Sequence, residues 1–311
     1  MHQRPILLIK SATSLPRRGK RQNWTVNFAL LPMAITVLLC YVGTVLWSIT
    51  VSFTSAKTFP NTNFVGLAQY EKLFSTDRWW LSLHNMALFG VIFVISCLVL
   101  GFFLAVFIDQ KVRGEGILRT IFLYPYAMSF VATGLVWQWM LNPGLGLQEA
   151  VRQLGFPHFE FNWIISQDKV MYAIALAAVW QSAGLVMALL LAGLRGVDEE
   201  IWKAARIDGI PVWRVYVSIV VPMIAPSIAT ATVLLSLGVI KVFDVVVAMT
   251  GGGPGIASEV PAKFIMDYLF NRANIGLASA ASVVLLLTVL ALLLPWLYAK
   301  NRMEHANNQG H

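Results

Sequence analysis

Two residues of opposite charge stand inside a strongly apolar block near the end of the chain. Lys241 and Asp244 are three positions apart, so on one continuous helix they would share a face and could form an ion pair. Ionisable groups at membrane depth are costly unless they are paired or face a cavity. The pair is therefore predicted either to line a polar path or outer gate through a membrane, or to lock its helix to a neighbour. Both interpretations remain open at this point.

The sequence lacks a nucleotide-binding motif and a metal-binding motif. No Gly-x-x-x-x-Gly-Lys-Ser/Thr segment occurs, and the run GGGPG at 251–255 is not followed by a lysine. None of the five histidines falls in an apolar block, whereas Cys40 and Cys97 both do, without metal-ligand spacing. We therefore expect no enzyme activity, no metal and no bound cofactor, and no ATP hydrolysis by this chain alone.

Composition indicates a membrane protein. Hydrophobic residues make up 58% of the 311, and charged residues only 12%, which is about half of their share in soluble domains. A membrane-spanning helix needs about 20 consecutive apolar residues. The predicted fold is all-α, a polytopic membrane protein with six transmembrane helices within residues 26–299. The six apolar blocks are 26–53, 86–108, 117–141, 170–194, 222–250 and 276–298.

The distribution of Lys and Arg predicts the orientation. With the N-terminus in the cytoplasm, 15 of the 23 Lys and Arg residues fall in inner segments and 7 in outer segments, and Lys241 lies in a span. This excess follows the positive-inside rule and places both termini in the cytoplasm. Residues 1–25 form a basic cytoplasmic tail that faces anionic lipid, and residues 300–311 form a second cytoplasmic tail. The net charge of +8 therefore requires no nucleic acid.

The inner segment 195–221 is predicted to fold into two short helices, which we call the knob. Asp198 can cap the first helix, and Gly209 suits the left-handed position that ends it. Pro211 fits the first position of the second helix. The knob is either an interfacial anchor for its loop or a docking element for a cytoplasmic partner. The apolar face of the second helix is predicted to consist of Val212, Val215, Tyr216, Ile219 and Val220.

The spacing within the knob resembles the EAA loop of permease subunits of binding-protein-dependent ABC importers. Nine residues separate Asp208-Gly209 from Ile219, which is followed by Val221 and Pro222. A second segment, FDVVVAMTGGGPG from residue 243, is similar to the end of span five in carbohydrate importers of the maltose type. Within that group the chain looks most like permeases of glucose or mannose importers. Lys203 stands where the family has Glu. The residues that match the coupling positions are Lys203, Ala204, Ala205, Asp208 and Gly209.

The resemblance implies the remaining parts of a machine. A second permease subunit would complete the pathway, two ATPase subunits would bind ATP and Mg²⁺, and an extracytoplasmic solute-binding protein would deliver a sugar. The location implied is the inner membrane of a bacterium or archaeon. An ATP-independent channel or carrier and a membrane scaffold are the rival functions. A carrier has no use for a motor-docking knob, and a scaffold has none for a polar path.

Three further residues could contact a sugar, which needs hydrogen-bond partners for its hydroxyls and a flat apolar surface for its ring. Trp180 and Gln181 lie near the middle of span four, and Tyr124 precedes Pro125 in span three. For each of them taken alone, the favoured interpretation is packing between helices with a polar bond across the interface.

Overall fold

The computed structural model describes residues 24–61, 63–110 and 112–308. This part of the chain forms helices and connecting loops, with one isolated antiparallel bridge between Thr54 and Phe64. The predicted all-α fold class is confirmed. The α-helices are α1 (Trp24–Val37), α2 (Thr44–Ser52), α3 (Ala68–Phe74), α4 (Asp77–Asp109), α5 (Glu115–Leu123), α6 (Phe130–Met140), α7 (Leu147–Gln153), α8 (Val170–Leu194), α9 (Glu199–Ile207), α10 (Val212–Val215), α11 (Val221–Met223), α12 (Ala225–Ile240), α13 (Asp244–Thr250), α14 (Pro261–Met266) and α15 (Ile275–Asn308).

The chain divides into two compact units, with the boundary after Trp47. The first unit contains α1, a π-helical segment (Leu38–Gly43) and the start of α2. The second unit contains every candidate site residue. Most of the predicted basic tail, residues 1–23, lies outside the described residues, as does the end of the C-terminal tail, 309–311.

Within the described residues, three stretches are long and apolar enough to cross a membrane as single helices. They are Leu30–Ser52, Asp77–Asp109 and Val170–Leu194. The first two overlap the predicted blocks 26–53 and 86–108, and the third has the predicted bounds. Their length and composition confirm the multi-pass character of the fold.

The predicted third span is broken instead of continuous. The segments Glu115–Ala127 and Phe130–Met140 meet at 97°. Pro125 lies in a 3-10 turn just before the corner, and its ring supplies no N–H to continue an α-helix. Ser129 Oγ then accepts a hydrogen bond from the backbone N–H of Ala132 at 3.1 Å and caps α6.

The predicted fifth span is broken twice. Val212–Met223 and Ala225–Ile240 meet at 71°, and a three-residue turn at 241–243 separates α12 from α13. Prolines 222 and 226 flank the first bend. The last predicted block lies on α15, whose apolar part is Ile275–Ala291. Because the described chain has three unbroken candidate spans and two bent pairs, the count of six stays a prediction.

Helix α8 is the centre of the second unit. Its own residues are apolar or small on all sides, and a helix of this kind is expected to be buried. Its glycines allow close approach: a Cβ on Gly184 would stand 1.9 Å from the carbonyl oxygen of Phe122 in α5. A Cβ on Gly101 of α4 would stand 2.6 Å from Val186 of α8. The packing of α8 against both helices therefore depends on the missing side chains.

A smaller cluster lies where α4 begins, which we call the outer end after the predicted orientation. Trp79, in the first turn of α4, is fully buried, and its ring lies 5.2 Å from that of Phe264 on α14. Leu73 of α3 and Leu277 of α15 complete the core of the cluster. The outer end thus joins α3 and α4 to α14 and α15, two parts of the chain that are distant in sequence.

Candidate functional site

The first helix of the knob has the predicted caps. The Asp198 side chain accepts a hydrogen bond from the backbone N–H of Glu200 at 3.0 Å, which satisfies a free donor of the first turn. Gly209 has φ +69°. The Ile210 N–H donates to the Ala205 carbonyl at 3.0 Å, and the Gly209 N–H donates to the Arg206 carbonyl at 3.3 Å. This is a Schellman motif, and it fixes the direction in which the chain leaves α9.

Two details of the knob differ from the sequence-based expectations. Pro211 is the N-cap of α10, one position before the expected first helical residue, because its ψ of 139° is extended. Ala205, expected to face a partner with Ala204, is 5% exposed and packs in the core of the second unit. The motif spacing gives no orientation about the helix axis. Ala205 therefore supports the knob from inside, and Ala204 is the exposed alanine.

The outward side of the knob combines exposed charges with exposed apolar side chains. Lys203 and Asp208 are exposed, and Lys203 Nζ lies 3.9 Å from Glu199 in a solvated pair. Pairs of this kind contribute little to stability, so Lys203 and Asp208 can both contact a partner. The exposed apolar side chains are Ile207, Val212, Trp213 and Val217. Of these, the sequence singled out only Val212, and its exposure differs from the predicted place on the apolar face of the second helix. Such a patch is typical of a protein interaction surface.

An inner groove of about 970 Å³ separates the knob from the ends of α4, α5 and α8. Glu115, at the start of α5, accepts hydrogen bonds from Arg119 and Arg195, each at 2.6 Å. Arg195 follows the last residue of α8 and also lies 3.9 Å from Asp109. These half-exposed charges hold the inner ends of three helices together at the base of the knob.

The predicted Lys241–Asp244 pair on one helix is wrong. Lys241 lies just after the end of α12, and Asp244 begins α13. No ion pair joins them among the described residues, and both are exposed. The expectation assumed an unbroken helix, which the turn at 241–243 removes. Asp244 instead occupies a helix start, where the helix dipole favours a negative charge.

The other three candidate path residues have different environments. Trp180 is 40% exposed, and its ring lies edge-to-face on Trp137 at 5.9 Å. Gln181 is buried, and its Nε2 donates to the Met128 carbonyl at 2.7 Å, at the corner of the broken third span. Tyr124 is 67% exposed in the 3-10 turn. Gln181 Oε1 has no hydrogen-bond partner in the part of the chain that the structure describes.

A partly buried ion network at the outer end was not predicted. Arg78 Nη2 donates to Glu259 at 2.8 Å, and Arg78 Nη1 donates to Asp267 at 2.7 Å. Asn85 Nδ2 donates to the carbonyls of Ala257 and Glu259, both at 2.9 Å. The network fastens the loop after α13 to α4. No local spacing could have revealed it, because its partners are more than 170 residues apart in sequence. The only signal was their opposite charge in two outer segments.

The carboxyl group of Asp267 has a strongly shifted pKa. Burial acts to raise this pKa, but hydrogen bonds from Asn271, Arg78 and Arg272 outweigh burial and lower it to about 2. The distances are 2.8 Å from Asn271, 2.7 Å from Arg78 and 3.1 Å from Arg272. Asp267 is therefore ionised at every physiological pH.

Comparison with known proteins identifies the family. Residues 113–302 match the binding-protein-dependent transport system inner membrane component. A probable ABC transporter permease protein of Pyrococcus horikoshii is 36% identical over 91% of this chain and 97% of its own length. The trehalose/maltose transport system permease protein MalF of Thermococcus litoralis is 30% identical, covering 86% of this chain and 90% of its own. The chain therefore belongs to this family of multi-pass inner-membrane permease subunits, which are not themselves enzymes.

Solved structures share the fold. A chain of a bacterial ABC transporter involved in the import of the acidic polysaccharide alginate superposes with a TM-score of 0.78 at 18% identity. The match covers 90% of this chain and 96% of that one. The xylose/arabinose import permease protein XacH of Haloferax volcanii is a further relative, 30% identical over 88% of this chain and 86% of its own.

Proposed function

We propose that this chain forms half of the translocation pathway of an ATP-driven sugar importer. Its knob would transmit the movement of separate ATPase subunits to the membrane helices. The single observation that carries the proposal is the knob itself, with α9 capped at both ends and an outward patch of charged and apolar side chains. A rigid projection of this kind suits force transfer from a separate subunit. Lys203, Ala204, Asp208 and Gly209 are its proposed coupling residues, with Ala205 behind them.

The proposed assembly contains partners that this chain cannot replace. A second permease subunit completes the pathway, and two ATPase subunits bind ATP and Mg²⁺ beneath the knob, because the sequence has no phosphate-binding loop. A solute-binding protein delivers the substrate at the outer end. Both termini lie in the cytoplasm, as the Lys and Arg distribution indicates. Support comes from the family match and from a related structure solved in complex with a substrate-bound periplasmic protein.

Sugar is the proposed substrate class. Relatives are named for trehalose or maltose and for xylose or arabinose. In this chain the half-exposed Trp180 offers a ring face, and Tyr124 offers an exposed hydroxyl. Gln181 Oε1 is an acceptor without a partner among the described residues. Lys241 and Asp244 are proposed as separate polar groups of the path or gate, beside the break after α12. A glucose or mannose substrate is the finer proposal.

Cysteine crosslinking tests the coupling role with a built-in control. In a background without Cys40 and Cys97, Ala204→Cys should crosslink to the ATPase subunit in the assembled complex, because Ala204 is exposed. Ala205→Cys should not crosslink, because this neighbouring position is buried. The reconstituted complex should import labelled sugar only with ATP and the binding protein.

Two results would refute the proposal. Absence of a crosslink at position 204, with the ATPase present in the complex, would reduce the knob to a membrane-surface anchor. Sugar flux through liposomes that contain this chain without any ATPase would instead favour an ATP-independent channel or carrier.

A further inference from the structure

One knob residue contacts a span other than the one that follows it in sequence. Tyr216 is the first residue of a π-helical segment, Tyr216–Val220, between α10 and α11. It is 9% exposed, although its neighbours Val217 and Ser218 are exposed. A π-helical turn is frequent at functional sites because it changes which residues face inward. Here both ends of the segment are buried.

The Tyr216 side chain contacts both the first knob helix and α4. Its ring lies 5.2 Å from the ring of Trp202 on α9, tilted by 64°. On the other side its ring lies edge-to-face with Phe102 of α4 at 6.2 Å. Gln110, which follows α4, donates from Nε2 to the Tyr216 hydroxyl at 3.2 Å. These edge-to-face and hydrogen-bond contacts are directional, so they resist both sliding and rotation.

Helix α4 extends these contacts into the body of the second unit. Gly101 of α4 packs on Val186 of α8, and Gly90 of α4 packs on Val239 of α12. A movement of the inner end of α4 would thus reach both helices. By contrast, the knob reaches α12 along the chain only through the 71° bend beside Ile224. A bend is a compliant connection, and side-chain packing at protein density is a stiff one.

We infer that Tyr216 is a positioning residue that transmits displacement of the knob to α4, and through α4 to α8 and α12, as a second route beside the covalent one. The inference deepens the proposed function and rests on the knob being the coupling element. Loss of this contact should leave the ATPase docked and active, and it should reduce the amount of sugar moved for each ATP hydrolysed.

The test uses the full complex of both permeases, the ATPase and the binding protein in proteoliposomes. The quantity measured is the ratio of sugar transported to ATP hydrolysed. Tyr216→Leu, which removes the ring and the hydroxyl, should lower this ratio at least fivefold. Tyr216→Phe keeps the ring packing and loses only the hydrogen bond, so it should lower the ratio about two- to threefold. A purely structural defect would lower transport and hydrolysis together and leave the ratio unchanged.

A double-mutant cycle isolates the contact to α4. Gln110→Leu should lower the ratio as much as Tyr216→Phe, and the double variant should be no worse than either, since both remove one shared hydrogen bond. The matched control is Tyr70→Phe on α3, which removes a tyrosine hydroxyl bonded to Ser52 at 2.7 Å near the opposite end of α4. Tyr70→Phe should keep the wild-type ratio.

The outcomes separate this inference from the proposed function. A wild-type ratio in Tyr216→Leu, or fully additive losses in the double variant, would overturn the second route while leaving the knob as the ATPase dock. If Tyr216→Leu does not assemble, the Tyr216→Phe and Gln110→Leu cycle decides alone. Failure of the proposed function would appear in the wild-type complex, as no ATP-dependent sugar import and no crosslink at position 204.

Discussion

Gly209 is required for its backbone conformation and not for lack of space around it. Its φ of +69° lies in the left-handed region, and apart from its chain neighbours no heavy atom of the described residues stands within 4 Å of the position that a Cβ would take. A larger side chain would therefore meet no neighbour but would strain the backbone. The Schellman hydrogen bonds that set the direction of α10 depend on this conformation. Substitutions at Gly209 thus test the direction of α10 relative to α9 without disturbing the packing of the knob.

We expect Gly209→Val to keep the protein in the membrane and to abolish sugar-stimulated ATP hydrolysis in the complex. A β-branched residue in this conformation costs about 1–3 kcal/mol, enough to favour a different chain direction after α9. Gly209→Asn is the control, since Asn adopts the left-handed conformation with less strain, and it should keep most of the activity. Wild-type coupling in Gly209→Val would show that the direction of the knob is irrelevant.

Asp267 should make stability at the outer end depend on acid. Its pKa in the folded protein is about 2, below the ordinary value of 3.8, so its contribution is fully present above about pH 4 and is lost as the pH falls towards 2. Asp267→Asn should lower the free energy of unfolding at pH 7 by about 1.5–3 kcal/mol, the range for hydrogen bonds to charged groups. Circular dichroism in detergent between pH 2 and 7 should show a smaller acid loss in the variant.

Glu199→Gln is the control for this comparison. It removes an exposed carboxylate whose nearest cation is 3.9 Å away, and it should not change stability measurably at any pH. An unaltered acid profile in Asp267→Asn would mean that the network at Arg78 contributes nothing to the stability of the outer end.

The conformation of a residue could be predicted from the sequence where it depends on interactions with its immediate neighbours. The cap at Asp198 and the left-handed Gly209 follow from the few residues around them, and both predictions hold. The side of α9 on which Ala205 lies is set by packing against residues far away in sequence, so the prediction for it was wrong. The network around Arg78 had no local signal at all. The functional roles of the candidate residues stay predictions.

At the scale of elements, the broken third span is held by a close backbone contact. The end of α5 lies against Gly184 of α8, and the corner beyond it is tied to Gln181 through the Met128 carbonyl. The small residue permits the approach, and the amide satisfies a carbonyl that the break has left without a helical partner. The bend is thus specified by α8 as much as by Pro125.

We expect Gly184→Ala to destabilise the protein and Gly116→Ala to have almost no effect. The new methyl group at position 184 would stand 1.9 Å from a backbone oxygen, so α5 or α8 must move, at a cost of about 1–3 kcal/mol. At position 116 of α5, no heavy atom of the described chain outside the helix's own backbone lies within 4 Å of a built Cβ, and Ala can favour the helix by up to about 1 kcal/mol. Thermal unfolding of the complex in detergent compares the two. Equal midpoints would show that α8 can retreat from α5 freely.

The apolar blocks predicted which segments are apolar enough to lie in a membrane, but they did not predict where the chain bends. Blocks 117–141 and 222–250 have the hydropathy of single spans, and yet each is broken. The prolines at 125, 222 and 226 were visible, but a proline within a span can either kink or break it, depending on its neighbours. The turn at 241–243 contains no proline, so the assumption that Lys241 and Asp244 share a helix had no warning against it.

At the scale of the molecule, the central helix is covered on all sides but one. Helix α8 is largely buried, apart from Ala192 and a stripe of Tyr172, Leu176 and Trp180 at a spacing of four residues. Two of these residues carry a polar group on an aromatic ring, which suits a surface that is partly apolar and partly wet. A second permease subunit facing this stripe would enclose a path between the two subunits. This proposed arrangement would place the proposed sugar contact, Trp180, in that path.

Because this stripe is left uncovered, we expect the chain to need its partner permease for both stability and transport. Binding of a partner to the folded state alone adds several kcal/mol of stability, which corresponds to a rise in the unfolding midpoint of roughly 5–10 °C. The chain purified alone in detergent should therefore aggregate at a lower temperature than the co-purified pair, and liposomes containing it alone should take up no sugar. Trp180→Arg should weaken the pairing, whereas Val91→Arg, at an exposed apolar position of the predicted second span, should reduce membrane insertion instead. A monodisperse lone chain with the melting midpoint of the pair, or sugar flux through it, would contradict the requirement for a partner.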